Sequence, residues 1–353
     1  MDVTFRIIRP RPGADRTAVL ALLAEDDLDL DKDVERIVTA VDADGRLVAC
    51  AGLAGDVVKC VAIHKSARGE GLALPLMTEV VALAWEMGRK NLFLYTKPDN
   101  EALFKGCGFI SLACVPGKAV LMENNKHRLA DYCASLAGQR KPGAAVTGLV
   151  MNCNPFTLGH RYLVEEASKR TDWVHLFVVR EDLSLFPYED RLDLVRKGVA
   201  DIANVTVHPG SVYIISRATF PAYFLKNAAV VDKAYTGIDI QIFRKYIAPA
   251  LGITHRFAGS EPHSAVTSQY NEDMAFWLAT PEVAAPPIAF AILPRKELDG
   301  EAISASRVRA AWRDNGIEAV RPMVPVSTYA YLESHPDLVK AYSPDRNPGE
   351  NVL

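Results

Sequence analysis

The apolar positions of the chain change their pattern part-way along the sequence. In the first part, two β-rich runs flank the Gly55-Asp56 turn, a helical pattern covers Leu72 to Gly88, and the stretch NLFLYT predicts a further strand. The segment from Gly138 to Ala145, GQRKPGAA, then combines glycine, proline and polar or basic residues. The pattern therefore predicts a first domain over residues 1–137, a linker over residues 138–145 and a second domain over residues 146–353.

Strands and helices alternate in the second domain. Apolar runs that predict strands are separated by helical patterns, and they lie at Val146–Met151, Trp173–Val179, Val205–His208, His255–Ala258 and Ile288–Leu293. This alternation is typical of a parallel sheet covered by helices. The chain is therefore predicted to be an α/β protein whose second domain is built on a parallel sheet.

Length, composition and charge describe an ordinary folded protein. The chain has 353 residues, which is enough for two cores, with a hydrophobic fraction of 49% and a charged fraction of 24%. A net charge of −3 gives no basic surface for nucleic acid or an anionic membrane. No run approaches the ~18 apolar residues of a membrane span, and the N-terminus lacks the apolar region of a signal peptide. We therefore expect a cytoplasmic protein that binds neither nucleic acid nor membrane.

Metal sites are not indicated by the spacing of the residues that bind metals. The six cysteines contain no C-x-x-C pair, so reduced thiols are expected. The acidic run Glu25 to Glu35 differs from a calcium loop because Lys32 and Val38 stand where that loop needs glycine and glutamate. No metal bound by protein ligands is predicted. Seven histidines have no mutual ligand spacing and are expected to be surface or hydrogen-bonded structural residues: His64, His127, His175, His208, His255, His263 and His335.

A helix is predicted to open directly after the first strand of the second domain, in NCNPFTLGHRYLVEEA. Asn152 to Leu158 should form a turn, and Gly159 with His160 should begin the helix. Thr157 and His160 then lie at a helix start, where unpaired N–H groups and the helix dipole favour an anion. Gly159 has no Cβ to keep a phosphate away. From these residues alone, a helix cap beside a surface histidine remains the alternative.

A second predicted helix start carries similar residues. The stretch ISASRVRAAW contains the hydroxyls of Ser304 and Ser306 and the guanidinium of Arg309. Ser304 could equally be a simple N-cap, and Arg309 a solvated side chain. Two such helix starts on a parallel sheet nevertheless suit a polyphosphate held between them.

In the first domain, Gly69 and Gly71 lie between a strand and a helix, beside Arg68. Backbone N–H groups in such a turn can bind phosphate, although a glycine-containing turn without a ligand is the alternative. Together with KPDNEALFKGCGF, the turn resembles the GCN5-related N-acetyltransferase (GNAT) fold, whose Arg-x-x-Gly-x-Gly/Ala loop holds the pyrophosphate of coenzyme A. Phe104 stands where many such enzymes have a tyrosine that protonates the leaving thiol, so the resemblance implies binding of a pantetheine-type group. The implied residues are Arg68, Gly69, Gly71, Leu72, Ala73 and Asn100.

The two helix starts of the second domain resemble the nucleotidyltransferase superfamily, which includes phosphopantetheine and nicotinate-mononucleotide adenylyltransferases. Their T/H-x-G-H and I-S-S-T-x-x-R motifs hold the triphosphate of ATP. The resemblance implies a GNAT-like α+β domain followed by a Rossmann-like parallel-sheet nucleotidyltransferase domain. Ala305 replaces the middle serine, and Asn154 stands where many members have aspartate. The implied ATP-binding residues are Asn154, Pro155, Thr157, Gly159, His160, Ser304, Ser306 and Arg309.

Further candidates come from positions near predicted strand ends. Arg180 follows the second strand, and Gly259 and Glu261 follow the fourth, where ligands of open parallel sheets gather. We add these three residues to the predicted ATP site, where Glu261 could contact the ribose, with a cap of the next helix as the alternative for Glu261. Arg191 is either another phosphate ligand or a partner in a structural salt bridge.

The chain is similar to the citrate lyase ligase family over longer stretches as well, including FPYEDRLDLVRKG, GSVYIISRATFPAYFLK and FAGSEPHSAVTSQYNE. The resemblance implies that acetate and ATP, with Mg²⁺ on the triphosphate, give acetyl-adenylate and pyrophosphate. The acetyl group then passes to the thiol of the acyl carrier subunit of citrate lyase, and AMP leaves. Thr157, His160 and Arg309 are the predicted catalytic residues. Ser216 and Thr219 are candidates for an acetate pocket, with core packing as the alternative.

Two other functions remain open on the sequence. One is a small-molecule adenylyltransferase that makes a nucleotide product and carries the first domain as a regulatory appendage. The other is a non-catalytic regulator that binds coenzyme A and a nucleotide.

Overall fold

A computed structural model describes residues 2–180, 184–216, 219, 233–260 and 265–341. Contacts divide the chain into two compact units, Met1–Arg128 and Leu129–Leu353. The predicted boundaries at residues 137 and 146 stay a prediction.

The first unit is built on a seven-stranded sheet. Its strands are β1 (Thr4–Ile8), β2 (Arg36–Val41), β3 (Leu47–Ala54), β4 (Val57–Ile63), β5 (Phe93–Thr96), β6 (Ile110–Val115) and β7 (Ala119–Glu123). The order in the sheet is β1-β2-β3-β4-β5-β7-β6, and only the β4–β5 pair is parallel. The helices are α1 (Ala14–Ala24), α2 (Ala73–Glu86) and α3 (Glu101–Gly106). The mixture of sheet and helices confirms the predicted α+β class.

Helix α2 forms where the helical pattern predicts it. Leu76, Val80 and Leu83 recur every three or four residues, are buried and pack in one cluster with residues of the sheet. The hairpin of β3 and β4 about the Gly55-Asp56 turn is also as predicted. Strand β5 begins two residues later than the stretch NLFLYT.

The second unit contains a five-stranded parallel sheet. Its strands are β8 (Val146–Met151), β9 (Trp173–Val178), β10 (Val205–His208), β11 (His255–Gly259) and β12 (Ala289–Leu293), and a two-stranded hairpin follows, β13 (Glu297–Leu298) with β14 (Glu301–Ala302). The order is β10-β9-β8-β11-β12, and every pair of neighbours is parallel. The five predicted strands are confirmed within one residue at each end. Because the chain passes from β8 to β9 on one side and later returns to β11 on the other, the strand order reverses between β8 and β11. Open parallel sheets commonly bind their ligands at the carboxyl ends of the strands at such a point.

Helices surround this sheet. They are α4 (Arg128–Ala137), α5 (Leu158–Arg170), α6 (Tyr188–Gly198), α7 (Lys233–Ile242), α8 (Ala248–Leu251), α9 (Ala265–Ala279), α10 (Ala305–Asn315), α11 (Val326–Ser334) and α12 (Asp337–Ala341). A π-helical turn, Phe243–Ile247, joins α7 to α8, and a 3-10 segment, Ile317–Met323, follows α10. All six residues of β8 are buried, as expected for the central strand of a parallel sheet. No helix in the described ranges is long and apolar enough to cross a membrane.

Two histidines form a buried pair that their sequence spacing did not reveal. The parallel register sets Thr206 opposite His175, so His208 lies on the same face of the neighbouring strand. His175 Nδ1 is 2.8 Å from His208 Nε2, and both residues are fully buried. Burial lowers the pKa of His175 to about 3 and that of His208 to about 4. Both rings are therefore neutral at physiological pH.

Candidate functional site

Helix α5 begins with a reciprocal pair of hydrogen bonds between Thr157 and His160. Thr157 is the N-cap, and its Oγ1 accepts a bond of 3.3 Å from the backbone N–H of His160. The backbone N–H of Thr157 donates to Nδ1 of the His160 ring at 3.0 Å, and Oγ1 lies 2.9 Å from the same nitrogen. The arrangement is a capping box in which histidine takes the place of Glu or Gln. The helix thus begins one residue earlier than predicted, and the hydroxyl and imidazole contact each other.

This cap determines the protonation state of the His160 ring. Because Nδ1 accepts a hydrogen bond from a backbone N–H, the ring proton lies on Nε2. Burial and the positive charges of Arg295 and Arg309 lower the pKa of His160 to about 3. Among the described residues, Nε2 has no hydrogen-bond partner. At physiological pH the ring is therefore a neutral N–H donor that can bind an anion.

The two predicted motifs meet at Gly159. A Cβ at this position would lie 2.2 Å from the carbonyl oxygen of Ile303, which comes just before α10. The N–H of Ile303 donates to the carbonyl of Lys296 at 2.8 Å. We predicted Gly159 for the approach of a phosphate; the structure shows that it also lets the start of α5 touch the segment before α10.

Arg309 ties α10 to the turn that follows β8. Its guanidinium donates from Nη1 to the carbonyl of Asn154 and from Nη2 to Ser306 Oγ at 3.0 Å, and the residue is only 1% exposed. The interpretation of Arg309 as a solvated side chain is therefore wrong. Ser304 is the N-cap of α10, because its Oγ accepts from the N–H of Arg307 at 3.1 Å.

Asn154 and Pro155 shape the turn between β8 and α5. The bond between them is a cis peptide, and both residues are buried. Asn154 Oδ1 accepts from the N–H of Phe186 at 3.1 Å, while the Asn154 carbonyl faces Arg309. At this position the amide thus serves to hold the turn in place.

Arg191 stabilises the same turn through hydrogen bonds. It is fully buried, and it donates to the carbonyls of Asn152, Val179 and Phe186 at 2.8, 2.9 and 3.1 Å. The interpretation as a phosphate ligand is wrong, because the guanidinium is directed at backbone carbonyls inside the unit.

Two of the other predicted ATP-binding residues lie at strand ends. Arg180, two residues after β9, has an exposed side chain, and Gly259 is the last residue of β11. Gly259 accepts a bond of 3.4 Å from Asn271 Nδ2. Glu261 lies outside the described residues.

Ser216 and Thr219 bond to each other inside the second unit. The N–H of Ser216 donates to Thr219 Oγ1 at 3.0 Å, and the N–H of Thr219 donates to Ser216 Oγ at 3.1 Å. The Ser216 hydroxyl donates to the carbonyl of Val212 at 2.6 Å. The acetate pocket stays a prediction, and the observed bonds give these hydroxyls a local structural role.

In the first unit, the predicted phosphate turn has the backbone that glycine permits. The φ angles are 85° at Gly69 and 72° at Gly71, in the region that other residues rarely adopt. Arg68 donates from Nη2 to both carboxylate oxygens of Asp26 at 2.7 Å and from Nε to the carbonyl of Ile63 at 2.9 Å. The predicted phosphate-binding cation therefore has an acidic neighbour, which a phosphate would have to displace.

The remaining pantetheine candidates lie at two helix starts. Leu72 precedes α2 without a side-chain cap, Ala73 is its first residue, and Asn100 precedes α3 with an exposed side chain. Phe104 is 4% exposed and belongs to the core of the unit. These sites stay predictions.

Comparison with known proteins gives two family matches and several close relatives. The model of the citrate lyase ligase C-terminal domain matches residues 146–332, and that of the acetyltransferase (GNAT) family matches residues 5–109. Citrate (pro-3S)-lyase ligase of Escherichia coli is 54% identical over 316 residues, which cover 90% of each chain. The chain belongs to the citrate lyase ligase family. Proteins of the same name from Klebsiella pneumoniae and Haemophilus influenzae are 50% and 44% identical, over 93% and 89% of this chain and 94% of each relative.

Membership of the citrate lyase ligase family confirms the predicted family and the predicted class of enzyme, a ligase. The GNAT match over residues 5–109 confirms the GNAT-like fold of the first unit, and the parallel sheet confirms the class of the second. The roles of individual residues stay predictions.

Sequence reasoning missed Arg295, which follows β12 by two residues. Its Nε donates to the carbonyl of Ser260, directly after β11, and its charge acts on His160. The available signal was its position: a basic residue just after the last strand of a parallel sheet and eight residues before Ile303.

Proposed function

We propose that this member of the citrate lyase ligase family activates acetate with ATP and transfers the acetyl group to the thiol of the citrate lyase acyl carrier subunit. The observation that carries the proposal is the contact between the starts of α5 and α10, where Gly159 meets Ile303 and Arg309 binds the Asn154 carbonyl. The two helix starts are thus adjacent, an arrangement that suits a polyphosphate. The name of the relatives supplies citrate lyase as the partner, and the family resemblance implies its acyl carrier subunit as the acceptor.

In the first step, an acetate oxygen attacks the α-phosphorus of ATP, the bond to the bridging oxygen of the β-phosphate breaks, and pyrophosphate leaves. The protein contributes by stabilising charge. The Nε2–H of His160 donates to a phosphate oxygen, and Thr157 acts through His160 by holding the ring in its neutral Nε2–H form. Arg309, with Ser304 and Ser306, supplies positive charge and donors at the start of α10.

Mg²⁺ would enter with the nucleotide, neutralise part of the triphosphate charge and take most of its ligands from phosphate oxygens. Among the described residues there is no group of three or more His, Cys, Asp or Glu side chains that could hold an ion.

In the second step, the carrier thiolate attacks the carbonyl carbon of acetyl-adenylate, the C–O bond to the phosphate breaks, and AMP leaves. We assign the pantetheine-like arm of the carrier to the turn of Arg68, Gly69 and Gly71 in the first unit. Phe104 has no proton to give, so this unit acts as a binding module. Because both units lie on one chain, a bound arm is held at a raised effective concentration.

Product analysis tests the proposal. Purified protein is incubated with ATP, acetate and the deacetylated carrier, and the nucleotides, pyrophosphate and carrier thioester are measured. AMP, pyrophosphate and thioester in equal amounts are expected. A nucleotide-coupled product would instead support a small-molecule adenylyltransferase, and the absence of any product would support a regulator.

A further inference from the structure

We propose that Arg295 is a third cationic group that binds the phosphate tail of the nucleotide, together with the starts of α5 and α10. The inference rests on the proposed function, because it assigns a further residue to the same ATP site. No motif used to recognise that site contains Arg295.

The side chain of Arg295 lies across the end of β11. Its Nε donates to the carbonyl of Ser260, and a Cβ built on Gly259 would lie 3.8 Å from Nε and 3.9 Å from Cγ. Strands β11 and β12 are parallel, with Gly259 opposite Leu293, so Arg295 emerges at the carboxyl edge of the sheet. This is the edge where ligands of doubly wound sheets bind.

The neighbouring backbone links Arg295 to both helix starts. The carbonyl of Lys296, the next residue, accepts from the N–H of Ile303, and the Ile303 carbonyl is in close contact with Gly159. Arg295 therefore belongs to one continuous set of contacts that includes the start of α5 and the segment before α10. The effect of its charge on the pKa of His160, which is greater than that of Arg309, agrees with this position.

The chemistry of these groups favours a polyanion. Two guanidinium groups and a neutral imidazole N–H belong to this set of contacts, and each can donate hydrogen bonds to an anion. Arginine also presents a planar set of donors that matches phosphate oxygens in a two-point contact. A triphosphate provides enough oxygens for both arginines, His160 and the helix N-termini.

The test compares ATP with adenosine, which lacks the phosphates. Dissociation constants of both ligands are measured by calorimetry for the full-length protein, Arg295→Gln and Arg295→Lys. Loss of a charged hydrogen-bond donor should weaken ATP binding by about tenfold or more in Arg295→Gln. Adenosine binding should be unchanged, and Arg295→Lys should lie between the two proteins. Arg313→Gln is the matched control, because it removes an exposed arginine of the same unit that pairs with Asp314.

Two results would overturn the inference. Either ATP binding is unchanged in Arg295→Gln, or ATP and adenosine lose affinity equally, which would mean that Arg295 only supports the fold. If Arg295→Gln fails to fold, Arg295→Lys decides by the same comparison. Failure of the proposed function is distinguishable, because it would appear as a lack of acetate-dependent AMP formation in the unaltered protein, whatever the binding data show.

Discussion

Replacing Gly159 by alanine tests whether the close approach of the two helix starts matters. The substitution adds one methyl group, and its carbon would lie 2.2 Å from the Ile303 carbonyl oxygen. Contacts below 3.0 Å are essentially never observed for a Cβ, and the obstacle here is backbone, so about 1 Å of separation has to be introduced between α5 and Ile303. The φ angle of Gly159 is not in the positive range, so the strain comes from this contact alone.

Gly159→Ala should change the reaction rate much more than the free energy of unfolding. A displacement of about 1 Å between groups that must act on one substrate lowers the rate by roughly 100-fold. Overpacking of this size destabilises a fold by about 1–3 kcal/mol, and the better helix propensity of alanine offsets up to about 1 kcal/mol. We therefore expect a protein that folds but adenylates acetate about 100-fold more slowly.

The assay is acetate-dependent AMP formation at saturating ATP, with unfolding by urea measured in parallel. Gly138→Ala is the matched control, because the nearest atom to its added Cβ is the Ser135 carbonyl oxygen at 3.6 Å, an ordinary contact. If Gly159→Ala keeps a rate within threefold of the control, the contact between helix starts is not needed for catalysis and the reasoning fails.

Three further predictions concern individual side chains of the second unit. His160→Ala should slow adenylation on the order of 100-fold. Since the pKa of His160 is about 3, protonation of this ring should not lower the rate of the unaltered protein between pH 8 and pH 5, which a pH–rate profile measures. Arg191→Met should lower the free energy of unfolding by about 3 kcal/mol or more, measured with urea, because three buried carbonyls lose their donor. The His175–His208 pair should make the protein less stable in acid, since unfolding raises the two pKa values from about 3 and about 4 to 6.5. Below pH 6.5 the unfolded state then binds more protons than the folded state, so the free energy of unfolding at pH 5 should be up to about 4 kcal/mol lower than at pH 8. Urea titrations that show no such change would contradict this, and so would the same change after both rings are replaced by Phe.

The five strands of the parallel sheet could be predicted because each is a short apolar run, and β8, β9 and β11 are buried on both faces. Val146–Met151 is a continuous example, and its bounds were predicted without error. The helix starts were also visible, because Thr157 and Ser304 are typical N-cap residues followed by helical patterns. These features depend on neighbours in sequence, which local patterns report.

Contacts between distant segments could not be predicted in the same way. His175 and His208 pair only because the parallel register brings them to one face of the sheet. The buried Arg309 donates a hydrogen bond to the carbonyl of Asn154, which is 155 residues away in the sequence. Arg295 belongs to none of the recognised motifs, and its contact with the Ser260 carbonyl depends on the pairing of β11 with β12.

The central claim is that the starts of α5 and α10 act together on the phosphates of one ATP, so that acetate can attack the α-phosphorus. The most direct measurement is the exchange of labelled pyrophosphate into ATP without the carrier, since this reports formation and reversal of acetyl-adenylate alone. We predict exchange that requires acetate and that falls about 100-fold in His160→Ala. Exchange that is absent, or that proceeds equally without acetate, would contradict the account.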